Sequence, residues 1–193
     1  MKAILFVLIV ALSVNAETEK DAASYARYLM RYGMHGVFST QMANIPELSI
    51  AMVDDFAETS KLDGNPIFML ANISETSKNL DIFPYGSFSI SAENCTTNDF
   101  DGMPYDPLAC LRFTMVGRFV SNENVVNTTD PEFQAFLARH PAAYDWIKYS
   151  PHQFRMWRMQ IYYIYYVGGY GNLHYIGEID TDTYFSAKPV QPN

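Results

Sequence analysis

The side chains of this chain that could bind a metal or transfer protons include four histidines. They are His35, His140, His152 and His174. No two of them stand at the spacing of metal ligands on one helix or hairpin. His140 precedes Pro141 at the end of a predicted helix, where the helix dipole favours an imidazolium. His174 lies in a predicted strand beside the glycine-rich residues 168–171. There it could ligate a haem iron or face another ligand, but we favour a histidine exposed on the surface of the strand.

Two arginines could bind an anion. Arg112 and Arg118 fall with Thr114 on one face of a predicted strand, where they could line a groove for a phosphate or a carboxylate. Pairing with the many carboxylates of the chain is the alternative that we favour. Asp54 and Asp55 are neighbours on a predicted strand, so their side chains should face opposite ways. This makes them poor candidates for a two-carboxylate active site.

Composition and charge exclude several classes of protein. The 193 residues carry 13 Lys+Arg against 21 Asp+Glu, a formal net charge of −8. Such a chain lacks the basic surface that nucleic acids and anionic membranes require. Hydrophobic residues make up 49% and charged residues 18%, the composition of a folded domain. The sequence has no P-loop, His-Glu-x-x-His, Cys-x-x-Cys or Gly-x-Ser-x-Gly motif. Residues 168–171 join two predicted strands and open no helix, so we predict a turn there and not a phosphate loop.

The first 16 residues have the layout of a secretory signal peptide. Lys2 supplies the positive charge, residues 3–14 are apolar apart from Ser13, and small residues precede Glu17 at the expected cleavage site. The apolar run is shorter than the roughly 20 residues that span a bilayer. We therefore predict a single mature domain at residues 17–193, without a membrane span, that is secreted or resides in the lumen of a lysosome.

Sequons and cysteines agree with a secretory route. Three Asn-x-Ser/Thr sequons begin at Asn72, Asn94 and Asn127, and we predict that at least one carries a glycan. The two cysteines, Cys95 and Cys110, are predicted to form a disulfide in an oxidising compartment. Two buried free thiols are the alternative. Two cysteines with no histidine nearby offer too few ligands for a metal.

Hydrophobic periodicity predicts a mainly β chain with helices at its edges. We expect helices at 21–32, capped by Asp21, and at 74–80, with further helices starting at Asp130 and Asp180. The predicted strands are 36–41, 48–53, 66–71, 87–93, 111–120, 153–167 and 173–179. Six or seven strands with three or four helices favour a small barrel whose openings are covered by helices. The strand at 153–167 is apolar on both faces, so it needs a second cover from a helix or a partner subunit.

One set of motifs resembles a known family. It comprises Phe-Leu-Ala-Arg-His-Pro at residues 136–141, Trp146, the strand at 153–167 and Gly-Gly-Tyr-Gly at 168–171. Together with the cysteine pair, this set resembles the CREG (cellular-repressor) family of secreted glycoproteins. That family lies within the FMN-binding split-barrel, or pyridoxamine-phosphate-oxidase-like, superfamily. The resemblance covers about residues 22–186 and implies a six-stranded split barrel that pairs with a second copy. It also implies a lumenal, lysosomal or secreted location and glycans that a mannose-6-phosphate receptor binds in animals.

The same resemblance allows an expectation about cofactor binding. Flavin enzymes of the superfamily hold the FMN phosphate with Arg, Lys and Ser/Thr on early barrel strands, whereas this chain has no Lys or Arg between Tyr32 and Ser60. We therefore expect no cofactor and a non-enzymatic glycoprotein that acts through protein contacts. One alternative is an FMN-dependent oxidoreductase that uses Arg112 and Arg118. The other is a haem-binding protein that uses His174, because residues 168–174 resemble those of microbial haem-handling split barrels.

Overall fold

The computed structural model describes residues 16–92, 110–122, 126–148, 152–169 and 173–192. Within these ranges the helices are α1 Glu19–Tyr32, α2 Glu75–Ile82, α3 Pro131–Arg139, α4 Ala143–Trp146 and α5 Thr181–Ser186. The strands are β1 His35–Gln41, β2 Ser49–Asp55, β3 Ala57–Glu58, β4 Pro66–Ala71, β5 Tyr85–Ser91, β6 Arg112–Ser121, β7 Phe154–Val167 and β8 Ile176–Glu178. The predicted signal peptide lies outside the described residues, apart from Ala16. In the described part of the chain, no helix has the length and apolar composition needed to cross a membrane.

All described strands form one antiparallel sheet that curls around a core. Its order is β2-β1-β5-β6-β7-β4-β3, and β8 pairs with β7. Six strands have six or more residues, while β3 and β8 have only two and three. The predicted fold class, a six-stranded split barrel with flanking helices, is therefore confirmed, with two short strands added at the edges.

Most predicted elements are present, and the differences concern their ends. Helix α1 starts with a capping box in which Thr18 is the cap and Asp21 is the third helical residue, so the predicted cap at Asp21 was wrong. The predicted last strand, 173–179, is ordered as a strand only at Ile176–Glu178. The elements β3 and α4 were not predicted, because two and four residues are too few to repeat a hydrophobic period.

The two faces of the sheet are covered differently. The inner face holds a cluster of aromatic rings, with Phe68 packed 4.9 Å from Phe38 and 4.8 Å from Phe88 between ring centroids. On the opposite face, α3 packs Phe133 and Phe136 over β4 and the start of β7. This covers the second side of β7 only at its beginning. Further along, Tyr163 and Tyr165 remain 38% and 42% exposed.

The exposed part of that second face is called the outer face below. Strand register places Val53, Val37, Ser89, Thr114 and Tyr165 in one row across β2, β1, β5, β6 and β7. A second row includes Val116 beside Tyr163. Three of these valines are more than 40% exposed. The outer face is thus a broad surface of valine, tyrosine and small hydroxyl side chains.

A buried ion cluster joins α1 to the loop after β3. The carboxylate of Glu58, whose side chain is fully buried, accepts hydrogen bonds from Arg27 at 3.0 Å, from the backbone of Gly64 at 2.8 Å, and from Arg31. The Arg27 guanidinium also donates to the carbonyls of Leu62 and Asp63. These contacts offset part of the cost of burying the pair, although Nε of Arg27 is buried without a hydrogen-bond partner among the described residues. The cluster fixes the helix against the barrel.

Arg139, the first residue of the Arg-His-Pro motif, joins α3 to the end of α1. Arg139 donates to the carbonyl oxygens of Met30 and Gly33, each at 3.0 Å, and also to that of Arg31. These are the carbonyls that a helix end leaves without intrahelical partners. His140 ends α3 as predicted, and its Nε2 lies 2.8 Å from the carbonyl oxygen of Phe56. The motif therefore has a structural role in joining three elements.

The substitution Glu58→Gln tests the importance of the ion cluster. It should lower the free energy of unfolding by about 3 kcal/mol, because it leaves a buried guanidinium without a counter-charge. Urea unfolding measures this change. The control Asp145→Asn removes an ion pair with Lys148 whose side chains are 71% and 59% exposed, and should change stability by less than about 0.5 kcal/mol. Equal effects of the two substitutions would contradict the assignment.

Candidate functional site

One candidate site lies at the end of the barrel where β7 turns towards β8. Glu17 enters this end, and its backbone N–H donates to the carbonyl of Leu173 at 2.8 Å. Its carboxylate accepts from the hydroxyl of Tyr166 at 2.7 Å and lies 3.2 Å from Nδ1 of His174. The Glu17 side chain is 9% exposed and that of His174 is 33% exposed. A buried carboxylate therefore orients a partly exposed imidazole.

The carboxylate of Glu17 influences the protonation of Tyr166 and the tautomer of His174. Burial and the hydrogen bond to Glu17 raise the pKa of Tyr166 well above its usual value, so the phenol stays protonated and donates. With Nδ1 of His174 directed to the carboxylate, the geometry favours the tautomer in which Nε2 carries the lone pair. The sequence identified His174 but missed Glu17, although Glu17 directly follows the predicted cleavage site.

A second candidate site is a cleft of about 290 Å³ beside the end of β2, called the β2 cleft below. Six of its nine lining residues are apolar, and the others are two aspartates and a serine. The lining residues are Val53, Asp54, Asp55, Met69, Leu70, Ala71, Ser74, Trp146 and Phe154. None of these residues is an arginine or a lysine, so nothing in the lining can neutralise a dianionic phosphate.

The two aspartates of the β2 cleft contact different elements. Asp54 lies 3.4 Å from the hydroxyl of Thr76 on α2, and Asp55 lies 3.8 Å from Nδ1 of His140 at the end of α3. Their side chains diverge, as expected for neighbours on a strand. The structure nevertheless brings both residues to one cleft, which is lined by β2, β4, the cap of α2, the end of α4 and the start of β7. The sequence could not show this convergence.

The arginines proposed to bind an anion lie elsewhere. Arg112 and Arg118 are on the outer face of β6, with Thr114 between them as predicted, and neither lines the β2 cleft. Arg112 donates to the carbonyl of Cys110 at 3.2 Å. Arg155 is a further cation that could substitute at a phosphate site, and it is held by Asp81 at 2.7 Å and by Ser77 at 2.9 Å. The structure therefore does not assemble these arginines into one phosphate site, and the residues of the β2 cleft do not fit FMN.

The modification sites predicted from the sequence are described in part. Asn127 is exposed, and its side-chain oxygen accepts from the backbone of Thr129 at 3.1 Å. The side-chain oxygen of Asn72 accepts from Arg155 at 2.5 Å, and its backbone N–H donates to the carbonyl of His152. Asn94 and Cys95 lie outside the described residues. Cys110 is buried, and its pairing with Cys95 stays a prediction.

The β2 cleft makes stability depend on pH. Burial raises the pKa of the Asp54 carboxyl from its ordinary 3.8 to about 6, with a smaller contribution from the charge of Asp55. Between these values the folded protein binds the proton more tightly than the unfolded chain, so stability falls as pH rises through this window. Asp54→Asn should raise the free energy of unfolding by about 1–2 kcal/mol at pH 7.5, a modest gain because the Asp54 carboxyl is still partly exposed to solvent. The substitution should change the free energy of unfolding little at pH 4. Urea unfolding at both pH values measures this. Asp182→Asn, on the exposed side of α5, is the control, and an equal gain at both pH values would contradict the assignment.

The fold is shared with several solved structures. No curated protein sequence matches the chain. A haem binding protein from Mycobacterium smegmatis superposes with a TM-score of 0.69 and 23% identity, covering 87% of this chain and 61% of that one. ChuZ from Campylobacter jejuni gives a TM-score of 0.59 at 12% identity, over 86% and 63% of the two chains. HutZ, a haem storage protein from Vibrio cholerae, gives 0.51 at 14% identity, over 71% and 85%.

These comparisons show that one expectation is wrong and confirm another, the resemblance to the CREG family. The expectation of a barrel without a cofactor is wrong, because solved structures with this fold are a haem binding protein and a haem storage protein, which marks a cofactor-binding fold. This chain spans less than two thirds of the length of the Mycobacterium protein. Residues 17–186, most of the chain, match the sequence model of the family described as CREG, beta-barrel. This protein therefore belongs to the CREG beta-barrel family.

Proposed function

We propose that this CREG-family chain is a secreted or lysosomal glycoprotein that binds haem at the end of its barrel, with His174 as the iron ligand. The observation that carries the proposal is the contact between His174 Nδ1 and the buried carboxylate of Glu17. An imidazole that ligates a metal commonly donates its other N–H to a carboxylate, which fixes the ring and increases its basicity. Haem supplies an iron that accepts such an imidazole.

The surroundings of His174 suit a flat apolar ligand with anionic edges. Leu173, directly before it, and Ile176, two residues after it, are 49% and 51% exposed. Ile176 pairs with Val167 on the outer face, close to Tyr165. Arg112 is the register partner of Val167 on the neighbouring strand, so it supplies a positive charge at the same end of the sheet. A cation there complements a haem propionate.

Flavin fits this chain less well than haem. The β2 cleft presents Asp54 and Asp55 and no arginine or lysine, so its charge does not suit the phosphate of a flavin. Haem has no phosphate. Its binding requires an imidazole for the iron, apolar side chains against the ring, and one or two basic groups for the propionates. The charge of the described residues therefore favours haem over the FMN alternative.

Titration of the secreted protein with hemin tests this proposal. We expect a saturable Soret band with one haem per chain, and His174→Ala should abolish it. Glu17→Ala should retain the band but weaken affinity by about 10-fold, because it removes the carboxylate behind the ligand. The mass in solution, measured on the same preparation, tests whether the protein is a homodimer.

The matched control is His152→Ala, because His152 is another partly exposed histidine that contacts Phe154 and lies outside both candidate sites. It should bind hemin like the parent protein. Absence of a saturable band in the parent, or equal bands in the His174 and His152 variants, would overturn the haem assignment.

The outer face supports pairing with a second copy of the chain. The valine and tyrosine side chains of its rows are exposed in the single chain, and a symmetric partner would cover them. This cover is the second one that β7 requires. Protein contacts then include this homodimer and, through the glycans, a sorting receptor that binds oligosaccharide.

The structure distinguishes two of the sequons. Asn127 is exposed in a turn that leaves room for an oligosaccharide, whereas the amide of Asn72 is held against Arg155. In protein secreted from a eukaryotic host, we expect a glycan on Asn127 and little or none on Asn72. Peptide mapping after enzymatic glycan release measures occupancy at each site. High occupancy of Asn72, or an unmodified Asn127, would contradict this expectation.

A further inference from the structure

We infer that the β2 cleft binds a small organic cation with an apolar body, an aralkyl ammonium ion, through the carboxylate of Asp54 and the ring of Trp146. This site is separate from the one proposed for haem, and neither inference depends on the other. The cleft is concave and places two carboxylates and a hydroxyl beside aromatic and aliphatic residues, so it offers both a charge and an apolar contact to one small molecule.

The negative charge of the β2 cleft favours a cationic ligand. Among the described residues, Asp54 has no cationic partner, and its one hydrogen bond is the 3.4 Å contact from Thr76. A carboxylate that is partly removed from water without a counter-charge is unfavourable. A bound cation would offset this cost, while Asp55 at the same cleft adds to the attraction and repels anions.

The lining favours an organic cation over a metal ion. No group of three or more His, Cys, Asp or Glu side chains among the described residues is arranged to hold a metal. Calcium and magnesium require several oxygen ligands, whereas Met69, Phe154 and Val53 offer none from their side chains. The faces of aromatic rings attract ammonium groups, and Trp is the most effective ring for this contact. The cleft of about 290 Å³ has room for one small aromatic or aliphatic body.

The unfavourable burial of Asp54 is consistent with a binding role. An asparagine would fill the same space without the charge, so a purely structural reason does not account for the carboxylate. Proteins retain such destabilising groups at sites where the charge serves a function. The Asp54 carboxyl faces Thr76 on α2, and Asp55, which lies 3.8 Å from Nδ1 of His140, is its neighbouring charge.

The probe for this site is the phenethylammonium ion, with neutral 2-phenylethanol as its matched analogue. Trp146 is one of two tryptophans, and the other, Trp157, is 3% exposed inside the barrel. Tryptophan fluorescence therefore reports binding at the cleft, and calorimetry gives its affinity. At pH 7.5 we expect saturable binding of phenethylammonium with a Kd of about 1 mM or lower, and at least tenfold weaker binding of 2-phenylethanol.

Variants complete the test. Asp54→Asn should weaken phenethylammonium binding at least tenfold, and the control Asp182→Asn, which removes the same charge from exposed α5, should bind like the parent. Urea unfolding checks that each variant is folded. The inference is overturned by an absence of saturable binding in the parent, by equal binding of the ammonium and the alcohol, or by equal binding in the two variants. Binding of hemin is unaffected by any of these outcomes, so the two sites are tested separately.

Discussion

The buried carboxylate of Glu58 is the interaction on which the arrangement of this molecule depends. It sits on the two-residue strand β3 and compensates the charges of Arg27 and Arg31 on α1. The same guanidinium of Arg27 binds the carbonyls of the loop that leads into β4. A buried ion pair contributes little net stability when it is complete, but loss of one partner is costly. The cluster therefore specifies one position of α1 on the barrel.

The position of α1 determines the geometry at the barrel end. The residues before this helix carry Glu17 to Tyr166 and His174, and the end of the helix receives Arg139 from α3. His140, the next residue, fixes α3 beside β2, where the β2 cleft forms. The two candidate sites thus share a framework built from the same ion cluster and the same Arg-His pair. They differ in charge, since one directs an imidazole outward and the other presents carboxylates.

Local patterns in the sequence predicted much of the fold because their causes are local. Ser74 accepts from the backbone of Ser77, and Asp130 accepts from that of Glu132, as expected of helix caps. The alternation in β6 placed Arg112 and Arg118 on one face. The cap of α1 was misplaced because Thr18 and Asp21 both have capping side chains, and only the backbone geometry distinguishes the cap from the third helical residue.

The sequence alone determined the class of protein, the strand periodicity, the acidic charge and the shortage of cations on the early strands, since these follow from residue types and from neighbours along the chain. Only the tertiary structure decided which distant residues meet. Glu17 and His174 are 157 positions apart, and Asp54 and Trp146 line one cleft from different elements. Contacts at such separation depend on how the sheet curls and on where the helices pack. Those are set by the combined burial of many side chains, and no single segment of sequence encodes them.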